Sequence, residues 1–179
     1  HGELPVLDRT DRDFFFLRRR DPEAVVQTIA QLCQTRLPKN MGIPATEIQV
    51  LSPTRKGETG TKNLNLALQA VLNPPAAGKK EKRYGDFSFR EGDRVMQIRN
   101  NYDILWKNPN GLGAGTGIFN GDIGVIVQID YEAELVTVDF DDKRAEYAFD
   151  LLGELEPAYA MTIHKSQGSE YRAVILSAF

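Results

Sequence analysis

Cysteine occurs once, at Cys33, and histidine twice, at His1 and His164. A single thiol excludes an internal disulfide framework, and one thiol with two distant imidazoles supplies no ligand set for a structural zinc. Cys33 lies among apolar residues at helical spacing and is expected to be a small buried hydrophobe. No apolar run approaches the roughly 20 residues of a membrane-crossing helix, so no membrane partner is expected. The sequence opens on no secretory pattern, and a cytoplasmic location is the expectation. A Walker A loop is also lacking. The stretch "RKGETGTKN", residues 55–63, looks like one, but counting from Gly57 puts Lys62 where the second glycine belongs. Asn63 and Leu64 then stand where the lysine and the metal-holding hydroxyl are needed. It reads as a loop near phosphate and not as the primary cradle.

Net charge is scarce, at −3 from 22 Lys/Arg against 25 Asp/Glu, but the charges are unevenly spread. Residues 52–83 carry seven Lys/Arg against two acids, and residues 131–156 carry nine acids against two bases. Such an asymmetry permits a basic face on an acidic molecule, which would suit nucleic acid; a solvated charged surface is the plainer alternative.

With 179 residues, the chain has room for one good core or two small ones. The apolar run Phe14–Leu17 predicts a buried strand. Asp21-Pro22 then starts a helix with Val25, Val26, Ile29, Leu32 and Cys33 on one face, closed by Pro38 and Gly42. "EIQVLSP" predicts a second strand, ended by Pro53, and Leu64, Leu68, Val71 and Leu72 predict a helix that stops at Asn73-Pro74-Pro75. Strand, helix, strand, helix is the grammar of a parallel α/β sheet. Residues 76–83 read as a mobile linker. From 85 to 156 the signals are β throughout, in short runs that suggest a small antiparallel barrel. Within them, the glycine-rich piece 108–117 reads as a flexible excursion. Around Pro157 a helical pattern returns, and "AVILSAF" predicts a final buried strand. The simplest topology is an α/β layer interrupted by a barrel.

The stretch "EPAYAMTIHKSQGSE", residues 156–170, carries the most chemistry. A helix over 158–167 would place Thr162, Lys165, Ser166 and Ser169 on one side, with His164, Gln167 and Gly168 towards another. Hydroxyls and an amine can hold phosphates, and a glycine lets a ligand approach the backbone. A surface helix with a glycine stop is the equal alternative. Tyr102, Trp106 and Phe119, near Arg99 and Lys107, would suit base stacking on the barrel or could equally be core.

"AYAMTIHKSQGSEY" closely resembles motif V of superfamily 1 DNA helicases of the RecD/TraA type. "IQVLSPTRKGETGTKNLNLALQAVLNP" resembles their motif IV and its following helix, and "GDRVMQIRNNYD" and "FNGDIGVI" resemble the barrel of their second motor domain. The likeness runs from about Phe14 to the C-terminus. It implies an α/β fold with a RecA-like, P-loop NTPase-type parallel sheet (residues 1–84 and 157–179) interrupted by an SH3-like antiparallel β-barrel insertion (85–156). It implies an ATP-dependent helicase that translocates on single-stranded DNA, unwinds duplex, and serves DNA repair and recombination. The primary site for ATP with Mg²⁺ would lie on an N-terminal motor domain missing from this chain. The family's last motif is expected beyond Phe179, so the fragment is expected to be inactive alone. By carry-over, Arg55 and Lys56 are the candidates for a catalytic cation facing the nucleotide phosphates, with Arg55 preferred. Gln167, Gly168 and Glu170 are assigned to ATP, Glu170 accepting from a ribose hydroxyl. Thr162, His164, Lys165 and Ser166 are assigned to the DNA backbone. A non-enzymatic nucleic-acid or protein-interaction module is the competing reading.

Overall fold

The computed structural model describes residues 13–178. Asp21 caps the first helix, α1 (Pro22–Gln31), its Oδ1 accepting from the Ala24 N–H at 2.8 Å. Pro38 does not close this helix. A wide π turn over Leu32–Arg36 absorbs the N–H that proline lacks, and the chain continues as α2 (Leu37–Met41) until Gly42. Strand β1 (Ile48–Ser52) follows, buried at all five positions, and then α3 (Thr61–Leu72), which buries Leu64 and Leu68. The strand expected over Phe14–Leu17 is not there: these residues are extended coil, each 42–50% exposed. A strand is made by its neighbours, and among the described residues no ladder accepts this one.

Residues 81–83 of the expected linker belong instead to a hairpin, β2 (Glu81–Tyr84) paired with β3 (Phe87–Arg90). The run looks polar because its charges lie over other groups. Arg90 bonds Glu81 at 2.7 Å, and the Lys82 ammonium sits 4.0 Å from the Phe149 ring centre. Strands β4 (Arg94–Gln97), β5 (Asn101–Lys107), β6 (Ala114–Ile118), β7 (Ile123–Asp130), β8 (Leu135–Phe140), β9 (Lys143–Ala148) and β10 (Leu155–Pro157) form one antiparallel sheet. Its order is β10-β4-β7-β8-β9-β5-β6. Residues 114–117 of the glycine-rich excursion are thus strand: β6 pairs with β5, and a Cβ on Gly115 would come within 2.6 Å of the Trp106 ring that covers it. The core of this sheet includes Ile118, Ile126, Ile129, Val136, Val138 and Tyr147, all fully buried.

The helix expected over 158–167 is replaced by strand β11 (Ala160–Thr162) and a short 3₁₀ turn (Ile163–Ser166). Ladder pairing overrides the helical propensity of "AYAM": β11 runs parallel to β1 with Val50 opposite Ala160 and Ser52 opposite Thr162. The last strand, β12 (Ala173–Leu176), lies parallel on the other side of β1. It is half-buried, not fully buried, with Val174 and Leu176 turned outward. Asn65 of α3 guards the free side of β11. Its amide donates to the Ala160 carbonyl at 2.9 Å and accepts from the Ala160 N–H at 2.8 Å.

Two features join the sheets. Leu51, Met96, Ala158 and Met161 form a small shared core. Beside it, the buried Asp93 carboxylate accepts from Gln69, Asn73, the Arg90 N–H and the Tyr159 hydroxyl, at 2.7–2.8 Å. Its donors come from α3 and its cap, from β3 and from the link between β10 and β11.

Candidate functional site

Strands β1 and β11 are parallel and end level, at Ser52 and Thr162. The "RKGETGTKN" loop and the turn after Thr162 therefore leave the same edge of the sheet, the carboxyl end at which α/β sheets bind ligands. Between that edge, the start of α3 and the β2–β3 hairpin lies a cleft of about 390 Å³. Arg55, Lys62, Glu156, Thr162 and Lys165 line it, with Tyr84 and Phe87 from the hairpin.

The glycine loop is folded on its own backbone. Thr61 and Lys62 N–H groups donate to the Thr54 and Arg55 carbonyls, Gly60 N–H donates to Gly57, and Ser52 Oγ donates to the Thr59 carbonyl. Amides spent in this way cannot cradle a phosphate, in keeping with the sequence spacing; the loop's contribution to the cleft is its Arg55 side chain.

Arg55 does not stand alone. Its guanidinium donates to Glu156 Oε1, and Lys165 Nζ donates to Glu156 Oε2 at 2.7 Å. Burial works to raise the Glu156 carboxyl, but the hydrogen bonds and charges of Lys165 and then Arg55 outweigh it and hold the group below the usual carboxylate range. Glu156 was not singled out from the sequence. Its signal was an acid placed beside Pro157, directly before the motif V stretch.

Thr162 and Lys165 share the cleft with Arg55, so residues expected on the DNA side sit beside one expected on the nucleotide side. Ser166 donates to the Ile163 carbonyl at 2.8 Å, and His164 is exposed on the 3₁₀ turn. Gln167 and Gly168 form the corner of the next turn, closed by Ser169 N–H donating to the Ser166 carbonyl at 3.1 Å. Gly168 has φ +82°, which that corner demands of a glycine. Glu170 faces a second cleft, of about 640 Å³, with Arg94, Tyr171 and Arg172. Lys56 is exposed, with its carbonyl accepting from Thr54 Oγ1. The helical-face grouping of Thr162, Lys165, Ser166 and Ser169 therefore does not survive, although Thr162 and Lys165 do meet.

On the antiparallel sheet, Tyr102 and Phe119 stack edge to face with ring centres 5.5 Å apart, and Tyr102 is largely exposed. The cation over this group is Lys143, 5.5 Å from Trp106 and 5.9 Å from Phe119, where the sequence suggested Arg99 or Lys107. Cross-strand placement by β9 was invisible to linear spacing. Among the described residues no group of three His, Cys, Asp or Glu gathers to hold a metal.

Residues 64–140 match the family model described as the ATP-dependent RecD-like DNA helicase SH3 domain, and residues 157–178 match the UvrD-like helicase C-terminal domain. The ATP-dependent RecD2 DNA helicase of Deinococcus radiodurans is 36% identical over 175 residues, covering 98% of this chain and 21% of that protein. An uncharacterised protein of Methanocaldococcus jannaschii is 30% identical over 172 residues, covering 88% of this chain and 14% of the relative. Unliganded Pif1 from a Bacteroides species aligns with TM-score 0.36 and 17% identity, over 72% of this chain and 45% of that one. The chain thus resembles RecD-like helicases and spans about a fifth or less of the length of these curated relatives.

Proposed function

From a chain that carries a RecD-like helicase SH3 domain and part of a UvrD-like helicase C-terminal domain, we propose one lobe of an ATP-dependent motor that translocates on single-stranded DNA and unwinds duplex. Residues 1–84 and 157–179 are assigned to the RecA-like part, to which the described parallel strands β1, β11 and β12 belong, and residues 85–156 to its SH3-like insertion. The observation that carries this reading is the shared edge: Arg55, Thr162 and Lys165 converge where β1 and β11 end. A packed structural element has no need of two cations and a hydroxyl gathered at the carboxyl end of a parallel sheet.

The residues present fit the phosphates of ATP and not its metal. Arg55 can neutralise phosphoryl oxygens, whereas no ligand cluster for Mg²⁺ exists among the described residues. ATP with Mg²⁺ therefore takes its main contacts from a further motor domain of the same protein, which would also complete the DNA track. Arg55 then acts across the seam, stabilising charge on the transferring phosphoryl group. Gln167 and Gly168 border the nucleotide, Glu170 lines the second cleft instead, and Thr162, His164, Lys165 and Ser166 hold the strand by its phosphates.

In the full-length protein, Arg55→Ala is expected to lower ATP turnover about a thousandfold while weakening single-strand binding far less. Equal losses in both would remove Arg55 from the reaction. The 179-residue chain by itself is expected to show negligible ATPase and salt-sensitive binding to single strands.

A further inference from the structure

Glu156 occupies a position that neither phosphate binding nor folding explains. Its two carboxylate oxygens are divided between the two cations of the cleft, one to Arg55 and one to Lys165. Among the described residues this is the one hydrogen bond each cation makes. Arg55 thus spends a single N–H of five, leaving a guanidinium that is 54% exposed and geometrically able to take two oxygens of a tetrahedral anion. Glu156 is itself only 28% exposed, so the pair is less screened than an ion pair in open solvent. The hydroxyl of Thr162 and the ammonium of Lys62 line the same space, and Lys62 is tied only to the exposed Asp86 at 3.9 Å.

The backbone of Glu156 adds the second half of the argument. It lies in β10, paired with Met96 of β4, and so belongs to the antiparallel sheet. Arg55 follows β1, and Lys165 follows β11 of the parallel sheet. The carboxylate is therefore a bridge from one sheet to the cations of the other.

We propose that Glu156 is a displaceable counter-ion that holds Arg55 and Lys165 until a phosphate group takes its place. The proposal rests on the reading of this cleft as phosphate-facing. Arg55, Lys62 and Lys165 against Glu156 and Asp86 leave the cleft with one net positive charge. An entering phosphate offers at least two unesterified oxygens in tetrahedral array and one or more negative charges, so it captures both cations, and Glu156 turns towards water. Ligand arrival at the parallel sheet then cuts the side-chain tie to the antiparallel one. Phosphodiester of a single strand and γ-phosphate of ATP share this chemistry.

The test uses the whole 179-residue chain with two probes, a fluorescent oligothymidylate and ATP, measured for wild type, Glu156→Gln, Arg55→Ala/Lys165→Ala and the triple variant. Glu156→Gln keeps the shape of the side chain and removes its charge. It is expected to raise affinity for one probe about fivefold, the scale of losing two partly exposed ion pairs. The gain should vanish when Arg55 and Lys165 are absent, as coupled neighbours require. The responding probe identifies the phosphate as strand or nucleotide. Unchanged or weaker affinity in Glu156→Gln, or a gain that persists without the two cations, overturns the counter-ion and leaves the motor reading intact. Failure of wild type and Glu156→Gln alike to bind either probe overturns both. Thermal melting of each variant confirms that a comparison is made between folded proteins.

Discussion

The two sheets bury their strands by different means. The antiparallel sheet curls around its own core, and Ile126 and Val136 at its centre have no exposed surface. Among the described residues the parallel layer has three strands, of which only the middle one, β1, is buried throughout; β12 alternates, with Val174 and Leu176 more than half exposed. Packing from α1 and α3 covers one face of the layer. Burial is thus concentrated in the antiparallel sheet, and the candidate side chains Arg55, Thr162 and Lys165 stand at the edge of the thinner one. Functional edges drawn from the less stable part of a molecule are a common arrangement, because ligand exchange needs local freedom.

Urea unfolding of core and edge variants exposes the contrast at its largest. Ile126→Ala is expected to cost about 3 kcal/mol, the scale of a buried isoleucine truncated without collapse. Leu176→Ala should cost under about 1 kcal/mol, as surface changes do. Comparable losses at the two positions would erase the distinction between the sheets.

Asp93→Ala attacks the junction. It leaves four buried or half-buried donors without their acceptor, an expected loss of about 2–3 kcal/mol, and it should split a single unfolding transition into two steps. A small loss with one unbroken transition would show that the sheets stay united without Asp93, through the Leu51–Met96–Ala158–Met161 core and the Glu156 bridge.

How far this could be read from the sequence depended on whether the signal was local. Strand β1, α3 and its Asn-Pro-Pro stop, the Asp21 cap and the β signals of 85–156 were all written in nearby residues. Phe14–Leu17 and residues 158–167 misled for opposite reasons. The first has strand composition without a partner strand, and the second has helical composition beside one. Thr162 and Lys165 were legible as phosphate candidates from their residue types and Arg55 only through resemblance, and neither route states which side chains meet. Glu156 and Lys143 were missed because their roles come from neighbours 101 residues away along the chain in one case, and from adjacent strands in the other.

Gly168→Ala asks less of the molecule. A side chain at φ +82° should cost about 1 kcal/mol and tilt the turn that carries Gln167. The loss is expected in thermal melting, with little change in the antiparallel sheet. Unchanged stability would mean that this corner readily adopts another geometry.

The smallest effect is in pH. The Glu156 carboxyl is held below its ordinary value by Lys165 and Arg55, against burial. Its stabilising contribution is therefore present above the unfolded carboxylate range near 4.5 and is lost as pH falls through the lower folded value. Stability of wild type minus that of Glu156→Gln should be on the order of 1 kcal/mol or less at pH 7 and shrink towards pH 3. A difference that grows on acidification would reverse the sign assigned to this group.

Only Ala158 and Tyr159 separate the end of β10 from the start of β11. Three Cα steps reach about 11 Å when taut, and both residues are buried, with Tyr159 pinned to Asp93. A tether so short has no slack. A displacement of β11 is passed straight into the antiparallel sheet, with no loop between them to take it up.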